Sequence, residues 1–349
     1  MALTPFDPSG AGDWRDGIYG LPFTAEDSRC VILAVPWEAT TSYGGGTSSG
    51  PQAILEASEQ VDLYDLELGR VYEPGIHLLP ISKEVAKWSA QGRKLADAVR
   101  AGKKPPKGKK TKDPLVELNA LGAKLNSWVR AESLKWMKAG KVVGLLGGDH
   151  STPFGAFEAA GEAYGDFGIL HFDAHSDTRA AYCGMQWSHA SIMHNALTKI
   201  SKVRKLTQVG IRDFSEDEAG FVKSQGQRAQ VFFDLELKAA AYKGESWERT
   251  CERIVSTLPP QVWVSFDIDG LDPQWCPHTG TPVPGGLDYN QALYVLRTLG
   301  RSGRKIVGFD LNEVAPGPKG DEWDANVGAR LLYKMAGWAL ASNGALAPR

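Results

Sequence analysis

Residues 167–177 read FGILHFDAHSD. An apolar run, Phe167 to Leu170, passes straight into His171, Asp173, His175 and Asp177, which alternate with Phe172, Ala174 and Ser176. A short apolar run of this kind reads as a buried strand. On an extended chain alternate residues face the same way, about 6.5–7 Å apart. The stretch therefore predicts a strand over 167–175 whose carboxyl end sets metal-capable side chains next to one another.

The same design recurs on either side. CVILAVPW (30–37), KVVGLLGG (141–148), KLTQVGIRD (205–213), AQVFFD (229–234), VWVSFDIDG (262–270) and KIVGFDLNEV (305–314) are further strand-like runs. Between them, 51–61, 84–100, 115–140, 153–165, 289–300 and 323–342 have helical spacing, and Pro51 stands at a plausible first helical position. Apolar strands alternating with helices predict a parallel sheet covered on both faces. Residues 1–28, rich in Gly, Pro and Asp, are expected to form an irregular arm. Residues 29–349 are expected to form a single domain, with a Lys/Pro-rich surface loop at 101–114.

Composition excludes several function classes. The chain has 349 residues, 42% hydrophobic and 23% charged, with a formal net charge of −2. That is ordinary for a globular protein and shows no basic field for nucleic acid or an anionic membrane. No apolar run is long enough to span a bilayer. The first twenty residues lack the basic and apolar regions of a signal peptide. Cys30, Cys183, Cys251 and Cys276 are far apart and form no CxxC pair. A reduced, cytoplasmic protein with structural thiols is expected.

Polar clusters stand at the carboxyl ends of four predicted strands: GGDHS (147–151), DAHSD (173–177), DIDGLDP (267–273) and NEV (312–314). In open parallel sheets ligands bind in the crevice at those ends. Convergence there would assemble two histidines, His150 and His175, with four carboxylates, Asp173, Asp177, Asp267 and Asp269. Carboxylates with imidazoles and no thiolate suit Mn²⁺, Fe²⁺, Co²⁺ or Ni²⁺ rather than a structural zinc. Four clustered carboxylates would repel strongly unless neutralised, and two divalent ions balance them.

GGDHS, DAHSD and SFDIDGLDP together resemble the three signatures of the ureohydrolase family, which includes arginases and agmatinases, and TGTPVPGG (279–286) is similar to that family too. The resemblance spans about residues 30–340. It implies a three-layer α/β/α sandwich around a parallel sheet of about eight strands, with a dinuclear metal site. By motif, one metal takes His150, Asp173, Asp177 and Asp267. The other takes His175, Asp173, Asp267 and Asp269, with Asp173 and Asp267 bridging. Asp149 and His171 are not ligands in that pattern, and His171 is expected to be a buried, hydrogen-bonded histidine. A hydroxide held between the metals attacks the guanidinium carbon, a poor electrophile whose charge is delocalised. The departing amine needs a proton. His189 in WSHAS (187–191) resembles the family's proton shuttle, although Ala190 stands where Gly is common. Glu313 in NEV resembles the carboxylate that clamps the guanidinium.

Departures from arginases narrow the substrate. TRAAYCGMQ (178–186) does not match the loop that holds an α-carboxylate. Two residues after GIRD (210–213), where arginases carry an Asp for the α-ammonium, stands Ser215. An ammonium buried without a partner is costly. GIYGLPF (17–23), VPWEATTSYGGGTSSGPQAI (35–54) and VDLYD (61–65) resemble the subgroup of guanidine and metformin hydrolases, which implies Ni²⁺ over Mn²⁺. Tyr43, Trp187, Trp275 and Trp323 are candidates for an aromatic pocket around a compact cation. The expected reaction is hydrolysis of free guanidine to urea and ammonia, or of dimethylbiguanide to guanylurea and dimethylamine. The alternatives are an agmatinase or guanidinobutyrase and, in another class, a non-catalytic assembly subunit. A single-zinc deacetylase is disfavoured by the missing His-His pair. The resemblance also implies a trimer or hexamer, homo-oligomeric or with a homologous subunit.

Overall fold

The computed structural model describes residues 6–10, 12–102 and 113–349. In chain order its elements are strand β1 (Cys30–Val35), helix α1 (Gly50–Ala57), the short strands β2 (Tyr64–Asp65), β3 (Gly69–Arg70) and β4 (Ile76–Leu78), then helices α2 (Lys83–Arg100) and α3 (Pro114–Lys138). Strand β5 (Val142–Gly147), helix α4 (Phe154–Tyr164), strand β6 (Phe167–Phe172), helix α5 (Ile192–Lys199) and strand β7 (Val203–Ile211) follow. Helix α6 (Glu216–Ser224), strand β8 (Ala229–Phe233), helices α7 (Asp234–Tyr242) and α8 (Trp247–Ser256), strand β9 (Gln261–Asp267), helix α9 (Tyr289–Arg301), strand β10 (Lys305–Asn312) and helix α10 (Trp323–Ser342) complete the chain.

Eight strands form one sheet in the order β4-β1-β5-β10-β9-β6-β7-β8, and every pairing is parallel. The strands alternate because both faces are buried. In β1, Cys30, Ile32 and Ala34 enter one core and Val31, Leu33 and Val35 the other. The first core packs the sheet against Ile54 of α1, Ile254 of α8, Val295 of α9 and Leu332 of α10. The second packs it against Val85 of α2, Leu125 of α3, Phe157 of α4 and Ile192 of α5. This is the three-layer α/β/α sandwich with its eight parallel strands.

Local chemistry sets several ends. The Asp113 carboxylate accepts the N–H of Leu115 at the start of α3, and Pro114 occupies its first turn. Of the Lys/Pro-rich loop at 101–114, residues 103–112 lie outside the described residues. The 262–270 run leaves the sheet at Asp267 and turns into a 3₁₀ segment at Ile268–Gly270. The 305–314 run stops at Asn312 because Glu313 adopts a left-handed conformation, with φ 63°. The irregular arm is not loose throughout. Ile18, Tyr19 and Leu21 are buried, and the Tyr19 hydroxyl donates to the Ala329 carbonyl of α10 at 3.0 Å.

Strand order positions the site. The four central neighbours, β5, β10, β9 and β6, are the strands that end in GGDHS, NEV, DIDG and DAHSD. Their carboxyl ends lie side by side, so segments far apart in sequence meet in one crevice.

Candidate active site

His150 stands at the centre. Its Nδ1 lies 3.1 Å from Asp173 Oδ2, 3.2 Å from Asp267 Oδ2 and 3.6 Å from Asp177 Oδ2. Its other nitrogen, Nε2, lies 2.9 Å from Ser265 Oγ, which donates to Asp310 Oδ1 at 2.8 Å. Ser265 thus accepts the Nε2 proton, which leaves Nδ1 as the atom turned toward the carboxylates. Next to this group, His175 Nδ1 lies 3.1 Å from Asp269 Oδ2 and 3.4 Å from Asp173 Oδ1. Two donor clusters therefore adjoin and share Asp173.

The charge balance within the cluster is unfavourable for protein alone. Burial pushes the Asp177 and Asp267 carboxyls well above the usual range; Asp173 adds to the shift for Asp177, and Asp269 and Asp173 add to it for Asp267. For His150 and His175 burial works against protonation, but the surrounding carboxylates outweigh it and raise both. Asp173 experiences the same burial, yet His171, together with hydrogen bonds from His150 and His175, holds it well below the carboxylate range. Buried carboxylates packed against imidazole nitrogens and one another form the environment that divalent cations neutralise. The donor set fits a pair of such ions.

His171 also touches this cluster, with Nε2 2.8 Å from Asp173 Oδ2. Its Nδ1 accepts from the Gln208 side-chain amide at 2.9 Å, and the same amide donates to the Ser176 carbonyl. That arrangement protonates Nε2, so His171 orients Asp173 and has no lone pair to offer a metal.

Glu313 enters from β10. Oε1 accepts the backbone N–H of His150 at 2.9 Å, while Oε2 is buried without a partner among the described residues. Burial, then Asp267 and Asp149, push this carboxyl well above its usual range. His189 borders a cleft of about 320 Å³ that also has Tyr43, His175, Asp177, Arg179, Tyr182, Asp213 and Phe214 in its wall. Burial, then His175, push the His189 imidazole down to about 3. It is therefore neutral near pH 7.

Of the four aromatic candidates, only Tyr43 lines the cleft, and it is 83% exposed. Trp187 packs on Phe154 at 4.9 Å, above Gly122 of α3, within the second core. Trp275 and Trp323 stack on each other at 6.0 Å, outside the cleft wall. Their place in the packing was not legible from aromatic content. Conversely, Ser265 and Asp310 were not anticipated. Ser265 and Asp310 left a trace: each is a lone polar residue inside an apolar run, VWVSF and VGFDL, on a central strand. Such a residue must have a buried partner.

Asp213, Phe214 and Glu218, on either side of Ser215, belong to the cleft wall. Ser215 caps α6, where its Oγ and N–H both bond Glu218 Oε2 at 2.9 Å. Glu218 Oε1 accepts the Thr178 N–H at 3.2 Å, and Arg179 Nη2 lies 3.4 Å from Oε2. Asp213 is the outermost acid of the cleft wall, with a side chain 67% exposed.

No helix among the described residues is long and apolar enough to cross a membrane. The chain is 32% identical over 313 residues to an N(1)-aminopropylagmatine ureohydrolase of Thermus thermophilus, covering 89% of this chain and 90% of that one. It is 29% identical to proclavaminate amidinohydrolase of Streptomyces clavuligerus, covering 88% of each chain. Among solved structures, the agmatine ureohydrolase of Thermoplasma volcanium superposes with a TM-score of 0.72 at 23% identity, over 94% of this chain and 96% of that one. The arginase of Bacillus caldovelox does so with 0.66 at 22% identity, over 88% and 98%. These two share the fold. The model of the Arginase family matches residues 28–337, and the chain therefore belongs to the arginase family and is a ureohydrolase, a hydrolase of amidine C–N bonds.

Proposed function

We propose that this ureohydrolase hydrolyses a compact guanidinium-type cation, free guanidine or dimethylbiguanide, at a pair of divalent metal ions. His150, Asp173, Asp177 and Asp267 would hold one ion, and His175, Asp173, Asp267 and Asp269 the other. Resemblance favours Ni²⁺, with Mn²⁺ as the alternative. When bound, the pair supplies a water acidic enough to act as nucleophile at neutral pH. The chain's own residues do the rest. Glu313 Oε2, buried and unpaired, takes the guanidinium through charge-assisted hydrogen bonds. Neutral His189 takes up a proton and returns it to the departing amine.

The observation that carries the choice of a compact substrate is the engagement of Ser215 and Glu218 with each other. An extended substrate with a distal ammonium would find neither a carboxylate at 215 nor an uncommitted one at 218. It would also face Arg179. A second reading, an agmatinase-type substrate, is favoured by Asp213, whose exposed carboxylate at the cleft wall could meet a distal ammonium, and by relatives named for agmatine derivatives. Steady-state kinetics on guanidine, dimethylbiguanide, agmatine and L-arginine, with metal loading fixed, test the choice. A preference for agmatine or arginine overturns the compact-cation reading. Asp267→Asn tests the centre itself: it should lower metal content and abolish turnover, because it removes a charge shared by both ions.

A further inference from the structure

The loop after β1 approaches the site through its backbone. Gly148 lets it do so, since a Cβ there would lie 1.9 Å from the Trp37 carbonyl oxygen. Asp149 Oδ2 then accepts the N–H groups of Ala39 at 3.1 Å and Thr40 at 3.3 Å. From the other side, Arg100 of α2 donates to the Thr40 and Thr41 carbonyls at 2.8 and 2.7 Å. The Thr40 backbone is thus gripped from both sides, and its hydroxyl is fixed in space. That hydroxyl has three neighbours: the His189 N–H at 3.2 Å, His189 Nδ1 at 3.1 Å and Asp149 Oδ2 at 3.4 Å.

A threonine hydroxyl has one proton and two lone pairs. The His189 N–H takes one lone pair. Asp149 Oδ2 already accepts two backbone N–H groups and is the acceptor of this contact, so the hydroxyl proton goes to Asp149. The remaining lone pair accepts from Nδ1, which must then carry the imidazole proton. All three contacts are satisfied only in this arrangement. It leaves Nε2 with the lone pair, and no hydrogen bond among the described residues engages it.

Building on the reading of His189 as proton shuttle, we propose that Thr40 is a positioning residue: backed by Asp149, it fixes the neutral His189 ring as the Nδ1–H tautomer and presents a basic Nε2 to the cleft. Without it only the longer approach of Ser188 Oγ, at 3.5 Å, remains at Nδ1, and the ring can place its proton on Nε2, where it cannot accept another.

The test uses the metal-loaded enzyme and three variants, Thr40→Val, Thr40→Ser and His189→Asn. Thr40→Val is nearly isosteric and should keep its metal content and KM while kcat falls about tenfold or more, the scale of one lost hydrogen bond to a reacting group. Thr40→Ser should restore kcat to near the parent value. In the His189→Asn background Thr40→Val should cost nothing further. Independently of turnover, ¹⁵N correlation spectra of the Zn²⁺-loaded, diamagnetic protein should show His189, identified by its loss in His189→Asn, with its proton on Nδ1. That signature should be lost in Thr40→Val. An unchanged tautomer and kcat in Thr40→Val overturns the proposal, as does an equal cost of Thr40→Val with and without His189. If instead His189→Asn leaves kcat intact, the shuttle reading fails, and the tautomer shift alone decides whether Thr40 orients the ring.

Discussion

Glu313 accepts the backbone N–H of His150 at 2.9 Å, which ties the residue after β10 to the first residue of the His/Asp cluster. The bond holds one oxygen of a carboxylate whose backbone is already in an unusual left-handed conformation, with φ 63°. The other oxygen is buried and has nothing to bind. Strain and an unsatisfied buried carboxyl oxygen at one residue are both destabilising, and they persist where function requires them.

Glu313→Gln should therefore separate stability from activity. It keeps the shape and the acceptor for His150 but removes a charge that burial, Asp267 and Asp149 all disfavour. The metal-free variant should melt above the metal-free parent. Its kcat/KM should fall by roughly a hundredfold, as expected when a charge-assisted pair to the substrate is lost. Calorimetry together with kinetics checks this. A variant that is less stable and equally active would show that Glu313 only supports the fold.

Ser265→Ala tests how His150 is aimed. Removing Oγ leaves the Nε2 proton of a fully buried ring without a partner and breaks the link to Asp310, whose carboxyl burial has pushed up to about 6. Metal affinity should drop by about 10- to 100-fold, the usual effect of losing the group that orients a ligating histidine. Isothermal titration with Mn²⁺ or Ni²⁺ reads it directly. Unchanged affinity would mean that packing alone orients the ring.

How far was this legible in sequence? The parallel sheet was, because strands buried on both faces appear as uninterrupted apolar runs, as in β5 and β6. The eighth strand, β4, has three residues and carries too little pattern to register. Helices α5 to α8 are short, eight to ten residues each, and were also not foreseen. The clustering of these His and Asp side chains was legible because the motif-bearing strands are neighbours and the spacing within each motif is local. The aromatic candidates were not separable: Trp187 and Tyr43 look alike in sequence, and only packing against Phe154 distinguishes the core residue from the one in the cleft. Thr40 could not be read at all, since its role depends on Asp149 and His189, both more than a hundred residues away.

Removing the metals should give a protein whose stability declines with pH between 7 and 9. Asp177, Asp267 and Glu313 have raised folded values, so above the unfolded value they bind more protons folded than unfolded. Stability from such groups falls as pH rises. His150 and His175, raised above 6.5, act in the same direction once pH exceeds 6.5. His171 and His189, which are lowered, act oppositely, but only below 6.5. Asp173, which is lowered, acts only below about 4. All resolved contributions from the cluster therefore share one sign between pH 7 and 9. Melting curves of chelator-treated and metal-loaded enzyme should diverge with rising pH across that window. Parallel curves would mean that cations do not neutralise this cluster.

Substrate selection can be probed at the two outer positions. Ser215→Asp restores the acid that arginases carry at this place, yet it should not create an arginase. Here residue 215 caps α6, and its side chain lies 2.9 Å from Glu218 Oε2. An aspartate there would face a second carboxylate instead of a substrate ammonium, and like charges that close are destabilising. The variant should lose stability and gain no measurable activity on L-arginine. Asp213→Asn separates the two substrate readings, because Asp213 is the exposed acid of the cleft wall. If the enzyme acts on a compact cation, any loss of kcat/KM through the 4.0 Å approach of Asp213 to His175 Nε2 should be shared alike by guanidine, dimethylbiguanide and agmatine. The parent should also prefer guanidine and dimethylbiguanide to L-arginine by at least about a hundredfold. If a distal ammonium is read at Asp213, the same variant should selectively lose agmatine turnover. Activity in the parent that is highest on agmatine and falls in Asp213→Asn would replace the compact cation with an agmatine-type substrate.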